Sequence, residues 1–202
     1  MRKTPILVLG IAMSLSLSLC SCSPRNFLTR RLATDLIAAS DAFKTPQQFS
    51  VQTGILPNKD YISPEYLVLQ QHGWISATAS RCAPGMVPPP CWDVLLTPSG
   101  VDTVRALVPA EEADKASFFI PVARRELIGV TGISKQGSQA DVDFTWRWVP
   151  LNEVGAALYS SDLHYNSTVG FREYDDGWRL LQSAPHSAQT LDDSFKNAEP
   201  AQ

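Results

Sequence analysis

The stretch from Asp141 to Trp148 constrains the fold of this chain more than any other. Val142, Phe144, Trp146 and Trp148 alternate there with Asp141, Asp143, Thr145 and Arg147. One side of the segment is large and apolar and the other polar, as a half-buried antiparallel strand requires, because successive side chains point to opposite faces. Pro150 ends the run. Thr168 to Tyr174 reads as a second strand, Asp175-Asp176-Gly177 as a turn with its glycine ready for positive φ, and Trp178-Arg179-Leu180-Leu181 as the return. The segments 168–174 and 178–182 are therefore expected to form a hairpin.

Upstream, Phe118-Phe119-Ile120-Pro121-Val122 leads into Leu127–Ile133, a plausible strand weakened by Gly129 and Gly132. Asn152 to Tyr159 is a short helical or irregular connection. From about Ala184 the chain turns polar and is expected to be disordered.

The N-terminal half has helical character. Leu28, Leu32, Leu36 and Phe43 recur at helical spacing, which predicts a helix from about 27 to 44. Phe49 to Leu56 is a candidate strand. Ser63-Pro64-Glu65 starts a helix, with a capping hydroxyl, a proline at the first turn and an acid near the positive end; Gly73 stops it. Trp74–Ala77 and Trp92–Leu96 read as strands on either side of a Pro-rich loop, and Thr97-Pro98 starts another helix. The charged, alanine-rich segment 109–116 reads as a hinge.

The first residues carry an address. Arg2 and Lys3 precede an apolar run from Ile6 to Leu19, interrupted by Ser14, Ser16 and Ser18. That is the layout of an export signal, and it falls short of the roughly 20 residues needed to cross a bilayer. Its end, Leu19-Cys20-Ser21-Cys22, resembles the lipobox of bacterial lipoproteins. The resemblance implies cleavage before Cys22, acylation of that cysteine and attachment to the lipid bilayer through the acyl chains. Cys20 is the rival acceptor, disfavoured because bulky Leu19 would precede the cut. An ordinary secretory signal cut nearby is the alternative. Ser23, where no aspartate follows the cysteine, implies by the same resemblance the periplasmic face of an outer membrane, if the organism has one.

Charge and cysteine content fit an exported chain. Without Arg2 and Lys3, 15 basic side chains face 20 acidic ones. With no long run of like charge, the cationic track that nucleic acid requires is missing, and nucleic acid is not an expected partner. Beyond Cys22 only Cys82 and Cys91 remain, and in an oxidising compartment they most simply pair with each other. Such a bridge contributes about 2–3 kcal/mol by closing a short loop. A redox pair would usually be C-x-x-C, and a zinc site needs ligands that no nearby residue supplies.

The expected fold class is α+β, a helical part followed by a curved antiparallel sheet. Its divisions are a signal peptide (1–21), a lipidated tether (22–26), a helical part with the disulfide-closed loop (27–108), a sheet domain (118–183) and a tail (184–202). Residues 63–107, on the run Tyr66–Trp74 and Leu95-Leu96-Thr97-Pro98-Ser99-Gly100, resemble a winged-helix module. The presumed recognition helix carries Glu65, Gln70, Gln71 and His72 but no arginine or lysine. The aromatic C-terminal meander resembles cystatin-like and steroid-isomerase-like curved sheets. Phe144–Trp148 with Tyr174–Arg179 also looks like the end of domains from uncharacterised bacterial envelope proteins, which implies a fold and no activity.

No catalytic constellation emerges. His72, His164 and His186 lie far apart, and no nucleophile elbow, H-E-x-x-H pair or phosphate loop is present. Gly132-Ile133-Ser134-Lys135 has the wrong spacing for an elbow. Asp141 and Asp143 fall on the polar strand face, away from the apolar pocket a general base of this kind would need. No catalytic residue, cofactor or metal is therefore expected. Two functions remain: a non-catalytic envelope lipoprotein that binds or scaffolds another envelope protein, or a small-molecule carrier or sensor. Phe144, Trp146, Trp148, Phe171 and Trp178 read first as core, and in the carrier reading they would line the ligand instead.

Overall fold

The structure, a computed structural model, describes residues 27–85, 90–113, 115–181 and 190–201. The leader, Cys20, Cys22, the tether and His186 lie outside these residues.

The helix expected over 27–44 is two helices, α1 (Arg30–Ala38) and α2 (Asp41–Lys44). Thr29 caps α1 by accepting from the Leu32 amide, and the Ser40 hydroxyl donates to the Ile37 carbonyl at 2.6 Å. That bond occupies a terminal carbonyl of α1 while Ser40 itself is extended, so the chain breaks there. The strand expected over 49–56 is likewise two, β1 (Gln47–Gln52) and β2 (Gly54–Pro57), in different sheets. Gly54, at φ 90°, turns the chain between them.

Next come α3 (Asn58–Tyr61) and α4 (Pro64–Gln71), the latter capped by Ser63 and closed by Gly73 at φ 71°. Then follow β3 (Ile75–Ser80), β4 (Cys91–Leu96) and α5 (Pro98–Leu107), capped by Thr97. The expected hinge contains a helical turn, α6 (Ala110–Ala113). The C-terminal part comprises β5 (Ser117–Gln136), β6 (Gln139–Pro150), α7 (Glu153–Leu158), β7 (His164–Tyr174) and β8 (Gly177–Leu180), and the expected hairpin is β7–β8. The chain closes with α8 (Leu191–Lys196) and β9 (Glu199–Pro200).

The result is α+β. A six-stranded antiparallel sheet runs β1-β5-β6-β7-β8, with β9 also on β7, and a three-stranded sheet runs β2-β4-β3. The two cores do not divide the chain at 108–118. β1 pairs with β5, and α1 and α2 pack on β5, so the first helices and strand belong with the C-terminal sheet. β5 runs through both cores. Phe118, Ile120 and Val122 sit among Tyr66, Leu69, Val94 and Val104, while Leu127, Val130 and Ile133 pack against the other cluster.

The spacing of those last three residues has a physical cause. Leu127, Val130 and Ile133 face Trp146, Phe144 and Val142, although they lie three apart in sequence. Irregularities between Leu127 and Gly129 and between Val130 and Gly132 each insert a residue, leaving Ile128 and Thr131 exposed. The two glycines that weakened this strand in the sequence mark its bulges.

Cys82 and Cys91 form a disulfide with Cα atoms 5.1 Å apart, closing the β3–β4 connection. Replacing both by alanine is expected to lower the free energy of unfolding by about 2–3 kcal/mol, measured by urea denaturation without reductant.

The expected disordered tail is corrected over 190–201; residues 184–189 lie outside the described part. Thr190 caps α8 by accepting from the Asp193 amide, and Leu191 and Ser194 are buried. Phe195 packs against the core of the larger sheet, so apolar burial orders this short segment despite its polar neighbours.

Candidate functional site

Trp148, Trp146, Phe144, Val142 and Ala140 share the helix-covered face of the larger sheet on β6, with Tyr165, Ser167, Val169 and Phe171 opposite four of them on β7. A row of rings on this face reads first as core and alternatively as the lining of a pocket. It is filled.

Ala33 and Ile37 of α1, Phe43 of α2, and Leu191 and Phe195 of α8 cover it. The Phe195 ring meets Phe43 at 5.7 Å, Phe144 at 6.3 Å and Trp146 at 5.0 Å, all edge-to-face. These are the favoured aromatic geometries, and the rings close the space between helices and sheet. Phe144, Trp146, Phe171 and Trp178 are all under 5 % exposed. Four of the five residues proposed to line a ligand are therefore core. Trp148 is half-buried at the rim, edge-on to Trp146 at 5.3 Å and beside Tyr159 at 4.8 Å.

The buried indole N–H of Trp146 is accommodated within the core. It donates to the Ser167 hydroxyl at 3.0 Å, and that hydroxyl donates to the Ser194 carbonyl at 2.9 Å. The relay ties β6, β7 and α8 together and gives the buried indole N–H its partner.

Arg125, opposite Trp148 on β5, is the polar group that sequence reasoning missed. Its guanidinium lies 4.2 Å from the Phe195 ring centre, 4.5 Å from Trp148 and 5.7 Å from Trp146. One Nη donates to the Ala42 carbonyl at 3.2 Å, whereas Nε is buried without a partner. Burial pulls the guanidinium below its ordinary value, opposed by Asp192 and Tyr159. An arginine stays charged through such a shift, so the group acts as a fixed cation stacked on rings. The available signal was parity: Ala123, Arg125 and Leu127 alternate with Arg124 and Glu126, which places Arg125 on the inward side.

The remaining candidates are scattered. His72 ends α4 and stacks on Trp74 at 4.7 Å. His164 is exposed at the start of β7, and its carbonyl accepts from Ala201. Asp141 and Asp143 are exposed on the outer face, where Asp143 accepts from the Thr168 hydroxyl at 2.6 Å. Gly132–Lys135 lies within β5. Among the described residues no three His, Cys, Asp or Glu side chains gather as a metal site, and no helix is long and apolar enough to cross a membrane.

Open surface depressions exist. One of about 490 Å³ is bordered by Pro150, Ala156, Leu158, Tyr159 and Leu163, and one of about 550 Å³ by Asp143, Asn166, Thr168 and Glu199. Of the five candidate rings, Phe144 borders the second, and neither is lined by Trp146, Trp148, Phe171 or Trp178. No protein-family model, curated protein or solved structure matches this chain.

Proposed function

We propose that this chain is a non-catalytic envelope lipoprotein, held on a bilayer by acyl chains on Cys22 and acting as an interaction or scaffold module for another envelope protein. The observation that carries the reading is the sequence Leu19-Cys20-Ser21-Cys22 after a short apolar run. The Cys82–Cys91 disulfide is in keeping with an oxidising compartment. A scaffold role is favoured over a carrier because the aromatic face is occupied by Phe43, Leu191 and Phe195. Apolar side chains such as Phe119, Leu151 and Leu163 stand 56, 44 and 49 % exposed and offer surface to a partner.

Native mass spectrometry of the protein extracted in mild detergent from its own membranes tests this. The expected mass begins at Cys22, carries acyl chains and is two hydrogens short from the disulfide. A copurifying protein supports the scaffold role. An unacylated chain overturns the anchor, and a stoichiometric small molecule overturns the scaffold role in favour of a carrier.

A further inference from the structure

We infer that the end of the fold carrying Phe27, Arg30 and Arg31 is seated directly on the membrane, with Phe27 among the lipids and the two arginines against anionic headgroups. The inference rests on the lipid-anchor reading above and deepens it by naming the surface that meets the bilayer.

The tether sets the geometry. Phe27 follows Cys22 by five residues, a reach of at most about 18 Å. A folded body of this size is about 40 Å across. A chain acylated at Cys22 can therefore bring to the lipid only the side from which it leaves the fold, and that side begins at Phe27.

What stands there suits a bilayer surface. Phe27 is 62 % exposed, the highest value among the large exposed apolar side chains. Arg30 and Arg31 are exposed too, and neither has a carboxylate partner among the described residues. Both lie in the first turn of α1, which holds no acid, so they oppose the helix dipole and their placement does not serve helix stability. Arg30 is nonetheless held: its Nη2 donates to the Thr131 carbonyl, on the residue that β5 bulges outward, at 3.1 Å. An exposed ring beside unpaired cations is the arrangement expected of an interfacial contact, where the ring enters the acyl boundary and the cations meet lipid phosphates.

The test uses the acylated protein in phosphatidylcholine vesicles containing about a quarter phosphatidylglycerol. Phe27→Cys carries a nitrobenzoxadiazole label, and Ser161→Cys, in the exposed turn after α7, carries it as the comparison. Aqueous dithionite is expected to bleach the label at 27 about five-fold more slowly than that at 161, and adding Arg30→Glu with Arg31→Glu is expected to abolish the difference. Hydrogen exchange of the unlabelled protein checks the same end without an added thiol, with slower exchange expected at the 27–29 amides in vesicles than in detergent. Equal bleaching and unchanged exchange in protein whose mass shows the acyl chains would overturn the seating alone. A mass without acyl chains would overturn the anchor and the seating together.

Discussion

Trp146→Ala is expected to lower the free energy of unfolding by about 3–5 kcal/mol, the usual cost of deleting a large ring from a packed core. The indole is 3 % exposed, stacks on Tyr165 at 4.7 Å and touches Phe195 and Trp148 edge-on. Its removal opens a void that Phe195 and Arg125 border, and deletes the donor at the head of the Ser167–Ser194 relay. Urea unfolding followed in parallel by far-ultraviolet circular dichroism and tryptophan fluorescence measures the loss. The two signals should report one transition, because β5 belongs to both cores. A loss below about 1 kcal/mol would mean that the ring is not packed as core, and the aromatic face would again be a candidate cavity.

The second large effect belongs to a glycine. Gly155 lies in the first turn of α7, and a Cβ there would overlap the Val122 carbonyl, an atom already accepting from the Leu151 amide. Asn152 holds this approach from both sides, accepting from the Gly155 amide at 2.9 Å and donating to the Pro121 carbonyl at 2.6 Å. Gly155→Ala must push α7 off β5 and uncover Val154, which is 1 % exposed. The expected cost is about 3 kcal/mol, at the upper end for overpacking. That is a fall in melting temperature of about 6–12 °C for a chain of this length. Alanine's better helix propensity, worth about 1 kcal/mol, acts in the opposite direction. A melting temperature that rises would show that the helix does not lie this close.

Much of the architecture was readable wherever one residue type has one local job. Ser63, Thr97 and Gly73 marked helix ends, and the alternation in 141–148 marked a strand and its buried face. Elsewhere tertiary pairing decides the outcome. Nothing local says that Gly54 sends β1 to one sheet and β2 to another, or that Ser40 splits a helical run. The bulges hid the inward row of β5, because Leu127, Val130 and Ile133 break the period of two. The two readings of the five rings had the same origin. A row of large inward side chains is equally compatible with a pocket and a core, and what distinguishes them is a cover. That cover includes Phe195, in a segment whose helix signal, Thr190 capping the Asp193 amide, was present but overshadowed by its polarity.

The pairing of β1 with β5 also sets a timetable. Synthesis proceeds from the N-terminus, so β1 emerges well before its partner, with the whole insert from 53 to 116 still to come. During that interval α1, α2 and β1 have neither the sheet that receives them nor the strand that hydrogen-bonds them. The β2-β4-β3 hairpin region can close locally in the meantime, held by contacts of short sequence separation. The nascent chain therefore presents an unpaired strand until about residue 123 has been delivered, and the apolar face of α1 until the strands that carry Val142 to Trp178 have followed; this is the stage at which a holdase would act and at which aggregation would begin.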